Sequence, residues 1–138
     1  MKVGITFGAF DLCHAGHILM FQDCKENCDY LIVGLQFNPA LERESKNVPI
    51  QSMYERYVQL KAVKYIDEII PYAYECEIIQ ILKSRDINIR FIGADYIGKD
   101  FTGKNICLDR QMEICFNNRD HDFSTSELRK RIESSNNR

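Results

Sequence analysis

The chain has 138 residues and a net charge of −2, with 45% hydrophobic and 28% charged residues. This length and composition predict one globular domain with its own core rather than a disordered or multidomain chain. The weak charge excludes a broad basic surface for nucleic acid or an acidic membrane, and no segment has the length of a membrane span. We therefore expect no nucleic-acid or membrane partner, and we expect any polyanionic ligand to be bound by local groups in a pocket.

The apolar start of the chain, residues 3–7, is too short for a signal peptide and runs straight into polar residues. This favours a cytoplasmic location, in which the six cysteines would be reduced and mostly buried thiols. Cys24 and Cys28 lie four residues apart on a predicted helix, but no second pair completes a tetrahedral metal site. We expect no metal held by the protein alone.

Short β-rich runs alternate with segments of helical periodicity along the whole chain. In chain order, the predicted elements are a strand from Lys2 to Phe7, a helix from Ala15 to Asn27, a strand from Tyr30 to Leu35, a helix from Ser52 to about Lys64, a strand from Ile66 to Ile70 ended by Pro71, a helix from Glu75 to Ser84, strands from Ile89 to Ile92 and from Met112 to Phe116, and a helix from Ser124 to about Ile132.

Two of the predicted helices begin with a capping signal. Ser52 is followed three residues later by Glu55, and Ser124 is followed at the same spacing by Glu127. A serine and a glutamate at this spacing satisfy each other's free backbone N–H groups at the start of a helix. We place the domain at residues 1–133 and expect residues 134–138 to be a frayed tail.

Strand–helix alternation of this kind predicts a single Rossmann-like, doubly wound α/β domain: a five-stranded parallel sheet with helices on both faces. Such open sheets bind ligands beyond the carboxyl ends of their strands, at the point where the strand order reverses. The residues that directly follow each predicted strand are therefore the candidates for a functional site.

The first of these positions carries the strongest chemical signal. Gly8-Ala9-Phe10-Asp11 follows the first strand, and His14 and His17 enter the next helix on either side of Gly16. A glycine turn lets backbone N–H groups approach a phosphate, and the helix N-terminus presents further N–H groups and a positive dipole end. Imidazoles three residues apart share one helix face and add donors for the same anion.

The string Gly-x-Phe-Asp-x-x-His-x-Gly-His resembles the signature of the cytidylyltransferase-like branch of the HxGH nucleotidyltransferases, within it most of all the bacterial glycerol-3-phosphate cytidylyltransferases. The resemblance spans roughly Val3 to Ile132. Three further segments carry it: Tyr54-Glu55-Arg56 followed by residues 64–68, Gly93-Ala94-Asp95-Tyr96, and residues 119–126.

The resemblance implies a CTP-dependent transferase that joins a cytidylyl group to a small phosphorylated alcohol or polyol, with Mg²⁺ entering on the nucleotide and with the chain as a homodimer. It implies catalytic roles for His14, His17, Lys46 and Arg119. It implies nucleotide binding by Gly8, Ala9, Phe10, Gly16, Gly93, Asp95, Arg119, Ser124 and Thr125. It implies substrate binding by Asp11, Lys46 and Lys64.

Several positions depart from the family pattern. Ala9 stands where the family commonly has threonine, Tyr96 replaces tryptophan, and Lys64 replaces an arginine of the glycerol-3-phosphate enzymes. A lysine is a point charge rather than a bidentate fork, so the acceptor is less defined than the reaction. Glycerol 3-phosphate is the favoured acceptor among several phosphorylated alcohols.

Other interpretations stay open at this point. The same motif fits an adenylyltransferase that uses ATP on a sugar phosphate or a similar acceptor, and it fits a nucleotide-binding module without catalysis. Residues 98–105 nearly spell a P-loop, but Asn105 lacks the hydroxyl that binds magnesium and no clear helix is predicted from Lys104. We interpret this stretch as a glycine-rich loop over the pocket. His121 is equally compatible with a ligand role and with a solvated loop.

Overall fold

The computed structural model of the protein describes residues 1–117 and 123–136. Five strands and five α-helices alternate through them. They are β1 (Val3–Gly8), α1 (Ala15–Glu26), β2 (Tyr30–Gln36), α2 (Met53–Lys61), β3 (Glu68–Tyr72), α3 (Glu75–Ser84), β4 (Ile89–Gly93), α4 (Lys104–Asp109), β5 (Glu113–Asn117) and α5 (Thr125–Asn136), with 3₁₀ turns at Pro39–Leu41 and Ala94–Tyr96.

The strands form one parallel sheet in the order β3-β2-β1-β4-β5. The chain moves outward from β1 through β2 to β3, and then crosses back to pair β4 with the other side of β1. The strand order therefore reverses between β1 and β4, which is where an open sheet leaves a crevice at its carboxyl edge. The predicted five-stranded, doubly wound α/β domain is confirmed.

Helices cover both faces of the sheet and give it two hydrophobic layers. One layer packs Phe21 and Cys24 of α1 and Leu60 of α2 against Leu31 and Val33 of β2. On the other face, α3 and α4 contribute Ile78, Leu82 and Cys107, which pack against Ile5 and Ile32. Alternate residues of β1 and β2 thus enter opposite layers, as the near-continuous apolar sequence of these central strands predicts.

β3 includes Pro71, whereas we predicted that this proline would end the strand. β3 is an edge strand, and its Tyr72 carbonyl accepts a hydrogen bond from the Phe37 N–H at 2.8 Å. Since neighbouring residues of a strand turn their backbone groups to opposite sides, Pro71 faces the open edge and needs no N–H there. The prediction was wrong because the strand's place in the sheet was not known from the sequence.

Three helices also differ from prediction. α4, which we did not predict, is a six-residue helix that follows Gly103 in the left-handed region (φ 82°) and buries Cys107 fully. α2 ends at Lys61, because hydrogen bonds to the residue three positions back tighten its last turn at Ala62 and Val63. α5 continues to Asn136, through residues that we expected to be frayed. Within the described ranges, no helix combines the length and apolar composition that crossing a bilayer requires.

Candidate active site

A cavity of about 1370 Å³ opens at the carboxyl ends of the strands. It lies where the strand order reverses, between the turn after β1 and the end of β4. The structure brings most of the predicted site residues to its wall: Gly8, Ala9, Phe10, Asp11, His14, Gly16, His17, Lys46, Gly93, Asp95 and Thr125. These residues are separated by up to 117 positions in the sequence, so their convergence is a product of the fold.

The turn between β1 and α1 has an unusual backbone that is held by packing. Phe10 and Leu12 both have positive φ angles, 50° and 51°, which non-glycine residues adopt only under constraint. Phe10 provides that constraint, since its ring is buried against Phe21 and stands edge-on to the His17 ring at 5.4 Å. The core therefore fixes the turn from which α1 starts.

His14 and His17 cap the first turn of α1. His14 Nδ1 accepts the backbone N–H of Gly16 at 3.0 Å and that of His17 at 3.4 Å, and His17 Nδ1 accepts the His14 N–H at 3.4 Å. The two rings stack with centroids 3.8 Å apart. Because Nδ1 acts as the acceptor in both rings, the neutral tautomer of each carries its hydrogen on Nε2, a donor suited to phosphate oxygens.

Asp11 joins three parts of the site rather than presenting a free carboxylate. Its two oxygens accept the N–H groups of Ile50 (2.8 Å) and Gln51 (2.9 Å) and the Arg129 guanidinium (3.0 Å). Its carbonyl accepts the Thr125 hydroxyl at 3.1 Å. These contacts favour a role for Asp11 in supporting the loop, whereas the resemblance implies that it binds substrate.

Arg56 supports the same loop from behind. It is 1% exposed and donates to the carbonyl oxygens of Ala9 (3.0 Å), Gln36 (2.6 Å) and Phe37 (2.6 Å). Burial lowers the pKa of its guanidinium, and the nearby Asp11 carboxylate opposes that shift. A single side chain thus ties the turn after β1 to the end of β2. The sequence pattern included Arg56 but gave no sign of this function.

Gly93 and Asp95 form a compact turn at the end of β4. A Cβ atom added at Gly93 would lie 2.5 Å from Asp95 Oδ1, so a larger residue here would displace the Asp95 carboxylate from its place over the backbone. The turn is followed by residues 98–103, and Phe101 and Thr102 of this segment line the cavity. Lys99 and Lys104, the first residue of α4, do not line it. The P-loop interpretation stays rejected although α4 begins at Lys104, because ten residues separate Gly93 from that helix.

Two of the predicted site residues that the structure describes are not on the cavity wall. Ser124 is the N-terminal cap of α5 and accepts the Glu127 N–H at 3.0 Å, as its sequence spacing predicted. Lys64 does not reach the cavity, because α2 ends at Lys61 and leaves Lys64 in a turn beside a separate depression, with its Nζ 5.2 Å from the Tyr65 ring. Arg119 lies outside the described residues, as does His121.

Sequence reasoning missed three cavity arginines, Arg43, Arg90 and Arg129. Arg43 pairs with Glu75 at 3.7 Å, and the hydrogen bond that its guanidinium donates to Tyr96 is the largest cause of its raised pKa. Arg90 had a signal that was available: it is a charged residue inside the apolar run of a buried strand, which rarely occurs without a reason. Arg129 had none, since it contacts Asp11 across 118 positions of sequence.

The described residues contain no group of three or more His, Cys, Asp or Glu side chains that could hold a metal ion. All six cysteines are free thiols, and Cys24, Cys28 and Cys107 are buried. Burial raises the pKa of Cys24 far above the ordinary thiol value, with only partial opposition from a hydrogen bond to Asn117. The two imidazoles, the N-terminal end of α1 and the cavity arginines suit the binding of an anion.

Comparison with known proteins gives three results. The family model described as cytidylyltransferase-like matches residues 5–131. The glycerol-3-phosphate cytidylyltransferase of Bacillus subtilis is 33% identical over 135 residues, which cover 96% of this chain and 98% of that protein. The FAD synthase of Thermococcus sibiricus is 36% identical over 91 residues, 66% of this chain, and the match spans 62% of the length of that relative.

Among solved structures, a lipopolysaccharide core biosynthesis protein from Thermoplasma volcanium superimposes with a TM-score of 0.71 at 20% identity, over 88% of this chain and 99% of the other. That likeness shows the fold. The sequence matches, which cover almost the whole chain, show more: this protein is a nucleotidyltransferase and belongs to the cytidylyltransferase-like family.

Proposed function

We propose that this protein transfers a cytidylyl group from CTP to a small phosphorylated alcohol or polyol, with glycerol 3-phosphate favoured, and releases pyrophosphate. The observation that carries the proposal is the pair of stacked histidines at the N-terminus of α1, which opens onto a cavity also lined by Lys46, Arg43 and Arg129. The B. subtilis relative, which matches over nearly its full length, supports glycerol 3-phosphate as the acceptor.

Such a transfer needs no covalent intermediate on the protein. An oxygen of the acceptor phosphate attacks the α-phosphorus of the nucleotide, and the bond to pyrophosphate breaks. Catalysis then consists of positioning and of stabilising the charge on the equatorial and leaving oxygens. Hydrogen bonds from His14 and His17 and the positive end of the α1 dipole fit the triphosphate, and Lys46 and Arg119 add positive charge. Mg²⁺ would enter with the triphosphate and neutralise part of its charge.

The remaining predicted contacts complete the proposal. Gly8, Ala9 and Phe10 offer their backbone to phosphate at the turn after β1, and Gly16 leaves space above the first turn of α1. Gly93 and Asp95 would lie beside the nucleoside, and Thr125 would bind phosphate at the start of α5, which Ser124 caps. Lys64 takes no part. We further propose that the protein is cytoplasmic and forms a homodimer. Light scattering of the purified protein measures its molar mass and so tests the homodimer.

A second candidate is the transfer of an adenylyl group from ATP. The FAD synthase match favours it, because that relative is 36% identical over 91 residues, slightly above the 33% identity of the B. subtilis enzyme. The two candidates share the same phosphate chemistry and differ in the nucleoside and the acceptor.

Pyrophosphate release separates the candidates. CTP and ATP are each assayed with Mg²⁺ and a panel of phosphorylated acceptors that includes glycerol 3-phosphate. We expect turnover with CTP and glycerol 3-phosphate, at least tenfold above turnover with ATP. Turnover with ATP alone would replace the first candidate by the second, and failure with both nucleotides would contradict both.

A further inference from the structure

Arg90 is a buried cation in the wall of the cavity. It is 4% exposed, and its guanidinium lies between two aromatic faces, 5.1 Å from the Phe7 ring centroid and 4.8 Å from that of Phe101. Its Nη1 donates to the Thr102 carbonyl. Its Nε is buried and has no hydrogen-bond partner in the part of the chain that the structure describes. A buried donor without a partner is costly, so its retention requires an explanation.

The positive charge of Arg90 is not balanced by a direct ion pair. No carboxylate within residues 1–117 or 123–136 forms one with it. The Cys107 thiol, which hydrogen-bonds with the guanidinium, influences the pKa of Arg90 more than Glu75 does, and the ion pair of Glu75 is with Arg43. Burial lowers the pKa of the Arg90 guanidinium, yet an arginine stays charged throughout the physiological range. This part of the cavity wall therefore keeps a net positive charge.

The sheet register places Arg90 on one side of the cavity. Its register partners are Ile5 of β1 and Ile114 of β5, and both belong to the layer under α3 and α4. Phe7, Tyr72 and Ile78 of that layer also line the cavity. The opposite side, towards α1 and β5, instead offers Asp23 and Asn117, which are joined by a 2.8 Å hydrogen bond.

The reaction needs two places beside the triphosphate, one for the nucleoside and one for the acceptor. An amide and a carboxylate suit the mixed donors and acceptors of a pyrimidine base, and they do not call for a cation. The side with Arg90 then receives the acceptor. Its aromatic walls and single guanidinium offer hydrogen-bond donors and positive charge, which favour oxygen acceptors and repel an ammonium group.

We propose that Arg90 is a specificity-determining residue that binds the non-reacting end of the acceptor: it admits ends that carry hydroxyl or carboxylate oxygens and excludes ends that carry an ammonium group. This inference rests on the proposed function and defines the acceptor class of the same site. It makes phosphorylated polyols and hydroxy acids substrates and phosphorylated amino alcohols non-substrates.

The test uses acceptors of similar size that differ in the charge of that end. Wild-type protein is assayed with CTP and glycerol 3-phosphate, 3-phosphoglycerate or phosphoethanolamine. We expect kcat/KM for at least one of the two oxygen-bearing acceptors to exceed that for phosphoethanolamine by tenfold or more; the ratio between those two tells whether hydroxyl or carboxylate is preferred. Equal or better use of phosphoethanolamine would overturn the proposal.

Substitution assigns the discrimination to Arg90. Arg90→Met keeps an unbranched apolar side chain between the two rings. We expect it to raise KM for the preferred acceptor at least tenfold and to leave KM for CTP within about twofold of the wild-type value. The ratio of kcat/KM between the preferred acceptor and phosphoethanolamine should become smaller. Arg90→Lys should have a KM for the preferred acceptor between those of Arg90→Met and the wild type. The control is Arg110→Met, since Arg110 lies outside the cavity and donates to the carbonyl oxygens of Leu82 (3.0 Å) and Lys83.

Two results would show a merely structural role: an unchanged discrimination in Arg90→Met, or a KM for CTP that rises as much as that of the acceptor. If Arg90→Met does not fold, as judged by thermal unfolding, Arg90→Lys and the wild-type acceptor series decide. If no nucleotide supports transfer, the proposed function fails separately, and calorimetric binding of the three acceptors in the presence of CTP tests Arg90. Tighter binding of an oxygen-bearing acceptor than of phosphoethanolamine supports the proposal. Equal affinities, or no binding of any of the three acceptors, would overturn it.

Discussion

Two helices bring their N-termini to the cavity, and they are held there by different forces. α1 buries Phe21 and Cys24 completely in the hydrophobic layer beneath it. α5, all of whose residues the structure describes, buries none. Its contacts with the site are polar: Arg129 with the Asp11 carboxylate and the Thr125 hydroxyl with the Asp11 carbonyl.

The difference separates a fixed part of the site from a more easily released one. Burying a large apolar side chain contributes about 1.5 to 3 kcal/mol, whereas a net hydrogen bond contributes about 0.5 to 1.5 kcal/mol. Segments with few buried contacts open locally at lower free energy than the core. We infer that the histidines keep their geometry through a catalytic cycle, while α5 and its Thr125 can separate from Asp11 to admit substrate.

The largest expected effect is the loss of the α1 anchor. Phe21→Ala should lower the free energy of unfolding by roughly 3 to 5 kcal/mol, because it leaves a cavity below the histidine turn. Leu128→Ala in α5 is the matched control and should cost less than about 1 kcal/mol, since α5 buries no side chain. Denaturant titration measures both, and equal losses would remove the distinction between the two helices.

His17→Ala should reduce catalysis without loosening the packing of α1 against the core. We expect kcat to fall about 10²- to 10³-fold, the cost of removing one donor to transition-state charge. The unfolding temperature should stay close to that of the wild type, because Phe21 and Cys24 still hold the helix. A steady-state assay with CTP and a thermal melt test both points. A large drop in the melt would show that His17 is chiefly structural.

Releasing α5 should have a smaller effect. Arg129→Met removes a charged hydrogen bond to the buried Asp11 carboxylate and should cost roughly 1.5 to 3 kcal/mol in unfolding free energy. KM for the nucleotide should rise more than kcat falls, because Thr125 loses its alignment. Arg131→Met is the control, since Arg131 is exposed and meets Glu127 only at 3.9 Å. If both variants behave alike, the contact with Asp11 does not hold α5.

An ion pair remote from the site shows how much a polar contact alone contributes to stability, and breaking it should cause the smallest loss of unfolding free energy. Arg85 donates twice to Glu68, at 2.7 Å each, and these hydrogen bonds lower the pKa of the Glu68 carboxyl below its ordinary value. A carboxylate with a lowered folded-state pKa adds stability above its unfolded-state pKa and loses it as the pH falls through the folded-state value. Glu68→Gln should therefore cost about 0.5 to 1 kcal/mol at pH 7.

The cost of Glu68→Gln should shrink as the pH falls through the lowered folded-state pKa of Glu68, because the wild type then also carries a neutral side chain. Urea titrations at pH 7 and at pH 3 measure it. A cost that does not depend on pH would show that the Glu68 contact is not electrostatic.

The sequence predicted whatever depends on neighbours along the chain. The alternation of β-rich and helical segments predicted the five strands. The spacing of Ser52 and Glu55 predicted a capping box that the structure contains, and the segment from Gly8 to His17 predicted the turn after β1 and the start of α1. Contacts between distant residues were not predictable in this way. Asp11 meets Arg129, and Lys64 is excluded from the cavity, only because of how the elements pack. α4 was missed because six residues carry no clear period.

Pro71 has a consequence for how copies of this chain can associate. The outer side of β3 is an exposed edge, and such edges recruit strands from other molecules. At Pro71 that edge lacks a hydrogen-bond donor and carries a rigid ring. An incoming strand could not form a continuous ladder there, so this edge resists aggregation.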